Sequence, residues 1–421
     1  MDRYRKVIGV FATAFFLCAV VFLFPRTRVH AASEREILPV LELNKLAEFS
    51  APSGASYLEG GTAASSGYMV AFLSSTAGKP NPVQVIDTNT WTAVKTGSAE
   101  LSHANDMCYV PQRREIYVTP MDRAELIVLE ESTLNVKSKI KTLRNYHAIG
   151  YDTASDRFAA VFVTGSGAAR RLYCDILDGT CQKVLGTFSA DTNLTYQGLT
   201  VHDSLIYYTS WERGGVNSLY EPVYDGIFQK SDNVIYVYNF SGQLVKRLLV
   251  MMPEGYSKFE LETASFIGNR MILQFNETLD DASGTRMIGI YEVTAEGLSL
   301  AQKAEKEAAE KKAEQEKKAL QKLTSRKTAI TGITRRKKSL KVRWKKLSAG
   351  SVAAEGYEIQ LCRKKNFRGR SLKRLVRSGN VCVFRGLKRR TTYYIRVRAY
   401  AVRGDQTYYS AWSSKKKVRT R

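Results

Sequence analysis

The sequence predicts a mainly β protein: a five-bladed β-propeller, then a charged helical linker, then a second and smaller β-domain. Three observations carry this expectation. A polar residue heading an apolar strand returns five times, at a spacing of about 40 to 50 residues. Between Ser299 and Leu323 the composition switches to Ala, Glu, Lys and Leu. From Thr328 to Arg421 short alternating strands resume. A chain of 421 residues is long enough for two or three such domains.

The five recurring heads are Leu58-Glu59-Gly60-Gly61, Ala104-Asn105-Asp106-Met107, Tyr146-His147-Ala148-Ile149, Tyr196-Gln197-Gly198-Leu199 and Leu261-Glu262-Thr263-Ala264. Each precedes an apolar strand, a turn and a second apolar strand: 68–72 and 83–86, 115–118 and 126–129, 158–162 and 172–174, 205–208 and 234–238, 271–275 and 287–291. These runs are short, β-branched or aromatic, and bounded by turn residues, which makes them strands. One four-stranded sheet cannot bury both faces, but a ring of such sheets can, and closure hides most edges. The fifth unit has only three strands before the sequence turns helical. Residues 42–49 are expected to supply the fourth and so latch the ring over 40–297.

In the linker, 298–324, Ser299 and Gln302 make a capping box, and Glu307 with Lys311 and Glu314 with Lys318 support a helix at i,i+4 spacing. Apolar residues are too sparse for a coiled-coil seam, so the helix reads as an exposed spacer of about 36 Å. The strands at 340–344, 356–361, 394–400 and 408–418 follow. Residues 328–421 resemble a fibronectin type III domain: Trp344 stands at the core Trp of the second strand, and Tyr357 and Ile359 on the third. Leu387, Thr391, Tyr393, Ile395, Val397 and Ala399 match the family's Leu, Thr, Tyr and alternating apolar run. Arg389 departs from the family's frequent Pro. The resemblance implies a β-sandwich with Tyr393 at the tyrosine corner, and is silent on function.

Residues 1–31 read as a signal peptide: Arg3, Arg5 and Lys6, an apolar run over 7–24, and the small-residue site Val29-His30-Ala31. An uncleaved leader would leave the chain membrane-anchored. Cys18 lacks the small residue that a lipid-anchor site needs before it. Five cysteines follow the leader, so at least one stays unpaired. Cys174 and Cys181 flank a hairpin turn and are either a cross-strand disulfide or two buried thiols; Cys362 and Cys382 are a weaker pair, and Cys108 is a core residue. An exported propeller with a Lys-rich fibronectin type III repeat looks like the secreted surface proteins of Gram-positive bacteria.

Glu59, Asn105, His147, Gln197 and Glu262 occupy equivalent places at the head of the innermost strands, where side chains of all five units would converge on one axis. Such a ring either binds a glycan or other polar ligand or lines a watery channel. Asp106, Tyr146, Tyr196 and Glu260 flank it. An enzymatic version is that of glycosidases that resemble this architecture, with Glu59 and Glu262 as acid and base and Asp106 tuning them. Against it stand short units with few long loops. The one long insertion, 212–232, brings Tyr220, Tyr224, Asp225 and Phe228, with Trp211 at its edge: either a sugar platform or a loop that packs its own aromatics. There is no phosphate loop, no paired-His metal motif and no nucleophile elbow, so no cofactor or metal is expected, and His103, His147 and His202 lack ligand spacing.

Sixty-four Lys and Arg against 40 Asp and Glu give a net charge of +24, mostly from the C-terminal third. Its runs, 335–338, 388–390 and 415–417, point to an anionic cell-wall polymer held by salt-sensitive contacts. Export and the absence of interleaved aromatics argue against nucleic acid. The expectation is a monomeric, surface-associated binding or adhesion protein.

Overall fold

The structure is a computed structural model that describes residues 33–165, 170–190, 194–213, 227–347 and 354–421. The leader expected over residues 1–31 lies outside the described residues. Two compact units divide the chain, Met1–Gly297 and Leu298–Arg421.

The first unit opens with a short helix, α1 (Glu34–Ile37), and strand β1 (Leu41–Phe49). The next strands come in runs of four: β2 (Ala55–Ala64), β3 (Gly67–Ser74), β4 (Asn81–Ile86), β5 (Ala93–Ala99); then β6 (Ala104–Val110), β7 (Glu115–Pro120), β8 (Glu125–Glu130), β9 (Val136–Lys141). The third run is β10 (Tyr146–Asp152), β11 (Arg157–Thr164), β12 (Arg171–Asp178), β13 (Val184–Ser189). The fourth is β14 (Thr195–His202), β15 (Leu205–Trp211), β16 (Asn233–Asn239), β17 (Leu244–Val250). A final run of three, β18 (Tyr256–Ile267), β19 (Arg270–Leu279) and β20 (Arg286–Glu296), completes the unit.

Each run folds as one open antiparallel sheet in sequence order, and the last three strands pair in the order β18-β19-β20-β1. Strand β1 runs antiparallel to β20, from Leu41 opposite Glu296 to Phe49 opposite Ile288. The early segment expected to complete the fifth sheet therefore does so, and the edge of β20 is covered. Burial is high in the first three strands of a run and falls at the fourth. The second and third strands, such as Ile116–Thr119 and Leu126–Leu129, are buried on both faces and read as unbroken apolar runs. The fourth strands, such as VKSKIK in β9, are polar and exposed.

The first strands contact one another in the cyclic order β2, β6, β10, β14, β18 and back to β2. Apolar clusters fill the wedges between neighbouring sheets. One joins Met69 and Val83 to Met107 and Ile116, and another joins Ile272 and Ile290 of the fifth sheet to Tyr68 and Val70 of the first. Recurrent side-chain bridges stitch the same wedges. Asn81, Asn233 and Asn276 each donate to a backbone carbonyl of the following sheet's entry, at Ser102, Phe259 and Leu58, over 2.8 to 2.9 Å. Thr119 and Thr209 do the same to the carbonyls of His147 and Glu262.

Asp106, fully buried, ties four of the sheets together. Its Oδ2 accepts the N–H of Ile149 at 2.9 Å and of Leu199 at 2.8 Å, and its Oδ1 accepts the Thr263 hydroxyl at 3.2 Å. The first sheet meets it through Gly60, where an added Cβ would stand 3.0 Å from the Asp106 Cα and crowd that backbone.

In the second unit, helix α2 (Leu300–Ser325) has the expected capping box, with Ser299 and Gln302 bonded reciprocally. The pair Glu314–Lys318 closes at 3.4 Å. The expected exposed spacer is exposed over most of its length, but Ala319 and Leu323 are buried, and Leu323 belongs to the core of the domain that follows. That domain has a three-stranded sheet of β21 (Ile330–Arg335), β22 (Leu340–Trp344) and β25 (Val381–Phe384). The facing five-stranded sheet holds β23 (Gly356–Cys362), β24 (Ser371–Val376), β26 (Thr392–Arg403), β27 (Gln406–Tyr409) and β28 (Lys416–Arg419). Trp344 is fully buried between them, and Tyr357, Ile359, Leu387, Tyr393, Ile395, Val397 and Ala399 line the same core. The Lys388 N–H donates to the Tyr393 hydroxyl at 3.1 Å, which is the corner contact. Cys108, Cys174, Cys181, Cys362 and Cys382 are all buried free thiols, so neither candidate disulfide is formed.

Replacing Asp106 by Ala strips two buried N–H groups of their acceptor. At about 1–3 kcal/mol for each orphaned group, D106A is expected to destabilise the first unit by about 3 kcal/mol in denaturant unfolding, and D106N, which keeps an acceptor oxygen, by less than half of that.

Candidate functional site

The five polar residues singled out by the repeat share one backbone irregularity. In β2 the pairing register jumps from Leu58 to Gly60, in β6 from Ala104 to Asp106, and in β10 from Tyr146 to Ala148. In β14 it jumps from Tyr196 to Leu199, and in β18 from Leu261 to Thr263. The skipped residues include Glu59, Asn105, His147, Gln197 and Glu262. Each first strand therefore carries a β-bulge at the predicted position, and a bulge re-aims the side chain that it extrudes.

Glu59, Asn105, Gln197 and Glu262 line one recess of about 380 Å³, together with Tyr57, His103, Tyr196, Lys258, Glu260 and Asn276. Glu59 is 5 % exposed. Its Oε2 accepts the Ala104 N–H at 2.7 Å. Its Oε1 makes no hydrogen bond, although the His103 Nε2 stands 3.2 Å away. Asn276 donates to Glu262 and to the Leu58 carbonyl, and accepts the Leu58 N–H at 3.0 Å, so one amide holds the acid against the neighbouring first sheet. Gln197 donates to Glu260 at 2.8 Å, and Glu260 pairs with Lys258.

Burial pushes the Glu59 carboxyl up to about 8, against the single N–H that favours its charged form. Burial likewise raises Glu262 well above the usual carboxylate range, and the neighbouring Glu260 adds to it. Asp106 is raised to about 7 by burial, against the N–H groups of Ile149, Leu199 and Met107 and the Thr263 hydroxyl. At neutral pH the recess thus holds carboxylic acids that donate as well as accept hydrogen bonds, beside the Lys258–Glu260 pair.

His147 is bulged like the others but lies apart from the recess. Its carbonyl accepts from Asn105 at 2.6 Å, and its ring nitrogen Nδ1 is 3.3 Å from the Tyr196 hydroxyl. Burial first, then Arg170 and His103, lower its pKa to about 4, so the ring is neutral. Asp106 cannot reach a ligand, since it is sealed under the ring of first strands, and its expected tuning of the two glutamates gives way to a structural role. Trp211 is also buried; the Lys258 ammonium sits 5.2 Å from its ring centroid, which leaves no open face for a sugar. Tyr220, Tyr224 and Asp225 lie outside the described residues. Sequence reasoning missed Asn276 and Lys258. A strand Asn and a strand Lys carry no pattern, and only the fold brings them beside Glu262 and Glu260. No group of three or more His, Cys, Asp or Glu fit to hold a metal is found among the described residues.

Residues 328–416 match the fibronectin type III family, and this segment is a fibronectin type III domain. The resemblance of the second β-domain is thereby borne out, and it extends to one part of the chain. No curated protein matches the chain. Among solved structures, a glutaminyl cyclase from Myxococcus xanthus is 8% identical, with 60% of this chain and 97% of that one covered and a TM-score of 0.39. The tail fiber of Staphylococcus aureus phage P68 is 14% identical over 89% of this chain and 77% of that one, with a TM-score of 0.42. A human fibronectin type III domain is 17% identical over 25% of this chain and 80% of that one, with a TM-score of 0.21. At these scores the likenesses carry no functional argument.

The raised acids give the first unit a pH dependence of definite sign. A carboxyl near 4 in the unfolded chain and near 7 to 8 when folded contributes stability that is full below about pH 4 and is lost as pH rises through 7 to 8, at about 1.4 kcal/mol per unit and group. Glu59, Asp106 and Glu277, the last raised to about 7 by burial, act this way, and Glu262, also raised by burial, has the same sign. The melting temperature of the first unit should fall by more than about 10 °C between pH 5 and pH 8.5, and the fall should shrink in the Glu59→Gln, Glu262→Gln double variant.

Proposed function

We propose that the five sheets form a five-bladed β-propeller whose recess recognises a glycan or other polar ligand, in an exported, cell-envelope-associated binding protein. The observation that carries this reading is the recurrence of a bulge at Glu59, Asn105, His147, Gln197 and Glu262, four of which share the recess. A bulge at one place in a strand has many causes; the same bulge under a polar residue in every first strand has a common one. The unpartnered Oε1 of Glu59 supports it, because a buried polar atom without a hydrogen bond costs free energy that a ligand hydroxyl, able to donate or accept, would recover. The cyclic contacts of the first strands and the coverage of β20 by β1 support the ring.

In this reading the leader directs export, and the chain stays at the membrane only where the leader is kept. The fibronectin type III domain, which carries 28 Lys and Arg against three Asp and Glu over residues 328–421, favours anionic wall polymers. A carbohydrate-active enzyme using Glu59 and Glu262 is the second reading. The acid form of Glu59 at neutral pH favours it, as a general acid needs its proton. The raised pKa of Glu262 counts against it, since hydrolysis also needs an ionised base or nucleophile.

A glycan array probed with the wild-type chain, E59A and E262Q separates these readings. Recognition predicts binding of a restricted set of glycans with no product released, lost at least tenfold in E59A and kept in E262Q. Release of reducing sugar that vanishes in E262Q would establish the enzyme, and no retention of any glycan by the wild type would leave a structural or adhesion role.

A further inference from the structure

The basic residues of the fibronectin type III domain are scattered in sequence but gathered in space. Four segments, 335–338, 363–370, 385–390 and 415–421, hold eighteen Lys and Arg and no Asp or Glu. The structure brings them to one end of the sandwich. The Leu387 N–H donates to the Lys338 carbonyl at 3.0 Å, and the Arg421 N–H donates to the Arg336 carbonyl at 3.2 Å. The Arg419 guanidinium donates to the Arg390 carbonyl at 2.9 Å. Strand β28 lies beside the start of β26, with Lys417 opposite Tyr394, and Tyr394 in turn faces Cys362, where the turn at 363–370 begins. Lys364, Lys365 and Lys415 line one shallow recess.

The three carboxylates of the domain lie away from this end. Strand β26 is 12 residues long, about 40 Å. Glu358 pairs with Arg398, Glu355 pairs with Arg403, and Asp405 follows the far end of the strand. From Ile395, which stands opposite Lys416, to Arg398 is about 10 Å, a little over one Debye length at physiological salt. All eighteen cations are exposed, and among the described residues none of them enters an ion pair with a carboxylate. Like charges held this close repel one another, a cost that a polyanion would relieve.

We infer that this basic pole is a docking site for a linear polymer of polyol phosphates, which deepens the reading that the domain favours anionic wall polymers and rests on it. Phosphodiesters suit the Arg and Lys mixture, since Arg takes two phosphate oxygens at once and Lys acts as a point charge. The four segments offer no exposed ring on which a base could stack. Their one aromatic, Phe367, is buried with the Arg396 guanidinium 4.3 Å from its centroid. Trp412 nearby is covered by Arg396 and Arg398 at 4.1 and 4.4 Å. A polymer without aromatic bases therefore fits the pole better than a nucleic acid does.

The test uses the full chain and poly(glycerol phosphate) of defined length. One variant removes a cation from each segment: Lys337→Gln, Lys364→Gln, Lys388→Gln and Lys415→Gln. A second removes four cations elsewhere in the domain: Arg343→Gln, Lys345→Gln, Lys346→Gln and Arg374→Gln. Thermal unfolding confirms that both fold. The wild type should bind with steep salt dependence, the first variant at least tenfold more weakly and with a shallower salt slope, and the second within about threefold of wild type. Equal losses in both variants would overturn the pole and leave the wider reading standing. Tighter binding of an oligonucleotide with the same number of phosphates would overturn the polymer class. No binding of the polymer by the wild type would overturn the reading on which the inference rests.

Discussion

The first unit depends on the carboxylate of Asp106. A four-stranded sheet of this composition is apolar on both faces and gains nothing by standing alone. Its first strands must approach one another closely, and there the backbone N–H groups of Ile149 and Leu199 point inward, away from any ladder partner. One short acid satisfies both and takes the Thr263 hydroxyl as well, and Gly60 lets the backbone that carries it approach closely. Burying that acid raises its pKa, so the same group that joins the sheets also makes them sensitive to pH.

The bulges follow from this packing. Where five strands converge, the pleat cannot place every second side chain on a useful face. Extruding one residue per strand lets the chain keep its apolar residues in the wedges and turn one polar residue toward the mouth. Glu59, Asn105, Gln197 and Glu262 then share a recess, while Asn276 and the Lys258–Glu260 pair fix the walls around them. The result is a polar, part-buried site made from neighbours that are far apart in the chain.

Much of the architecture was legible in the sequence. The apolar runs gave the inner strands, because burial on both faces leaves no polar alternation. The early segment ending at Phe49 was identifiable as the missing strand because the fifth run lacked one, and the pairing of Leu41 with Glu296 agrees. Ser299 with Gln302, Trp344 and Tyr393 announced the helix start and the sandwich core. The five polar heads were visible as a repeat, but not as bulges, since register is a property of a strand pair. The role of Asp106 was hidden for a similar reason: its partners are main-chain groups 43 and 93 residues away, and any residue type can offer an N–H. The buried face of the helix, at Ala319 and Leu323, was hidden by a composition that is charged nearly everywhere else. The basic runs were plain, yet only the topology of the sandwich revealed that they meet.

Amide hydrogen exchange at Ile149 and Leu199 tests the central claim most directly. If one buried acid joins the sheets, these two amides, which lie in different sheets, exchange with a common opening free energy in the wild type, and both lose their protection in D106A while amides inside the wedges, such as that of Val118, keep theirs. Retained protection of either amide in the folded D106A variant would show that the sheets are held together by something other than this acid.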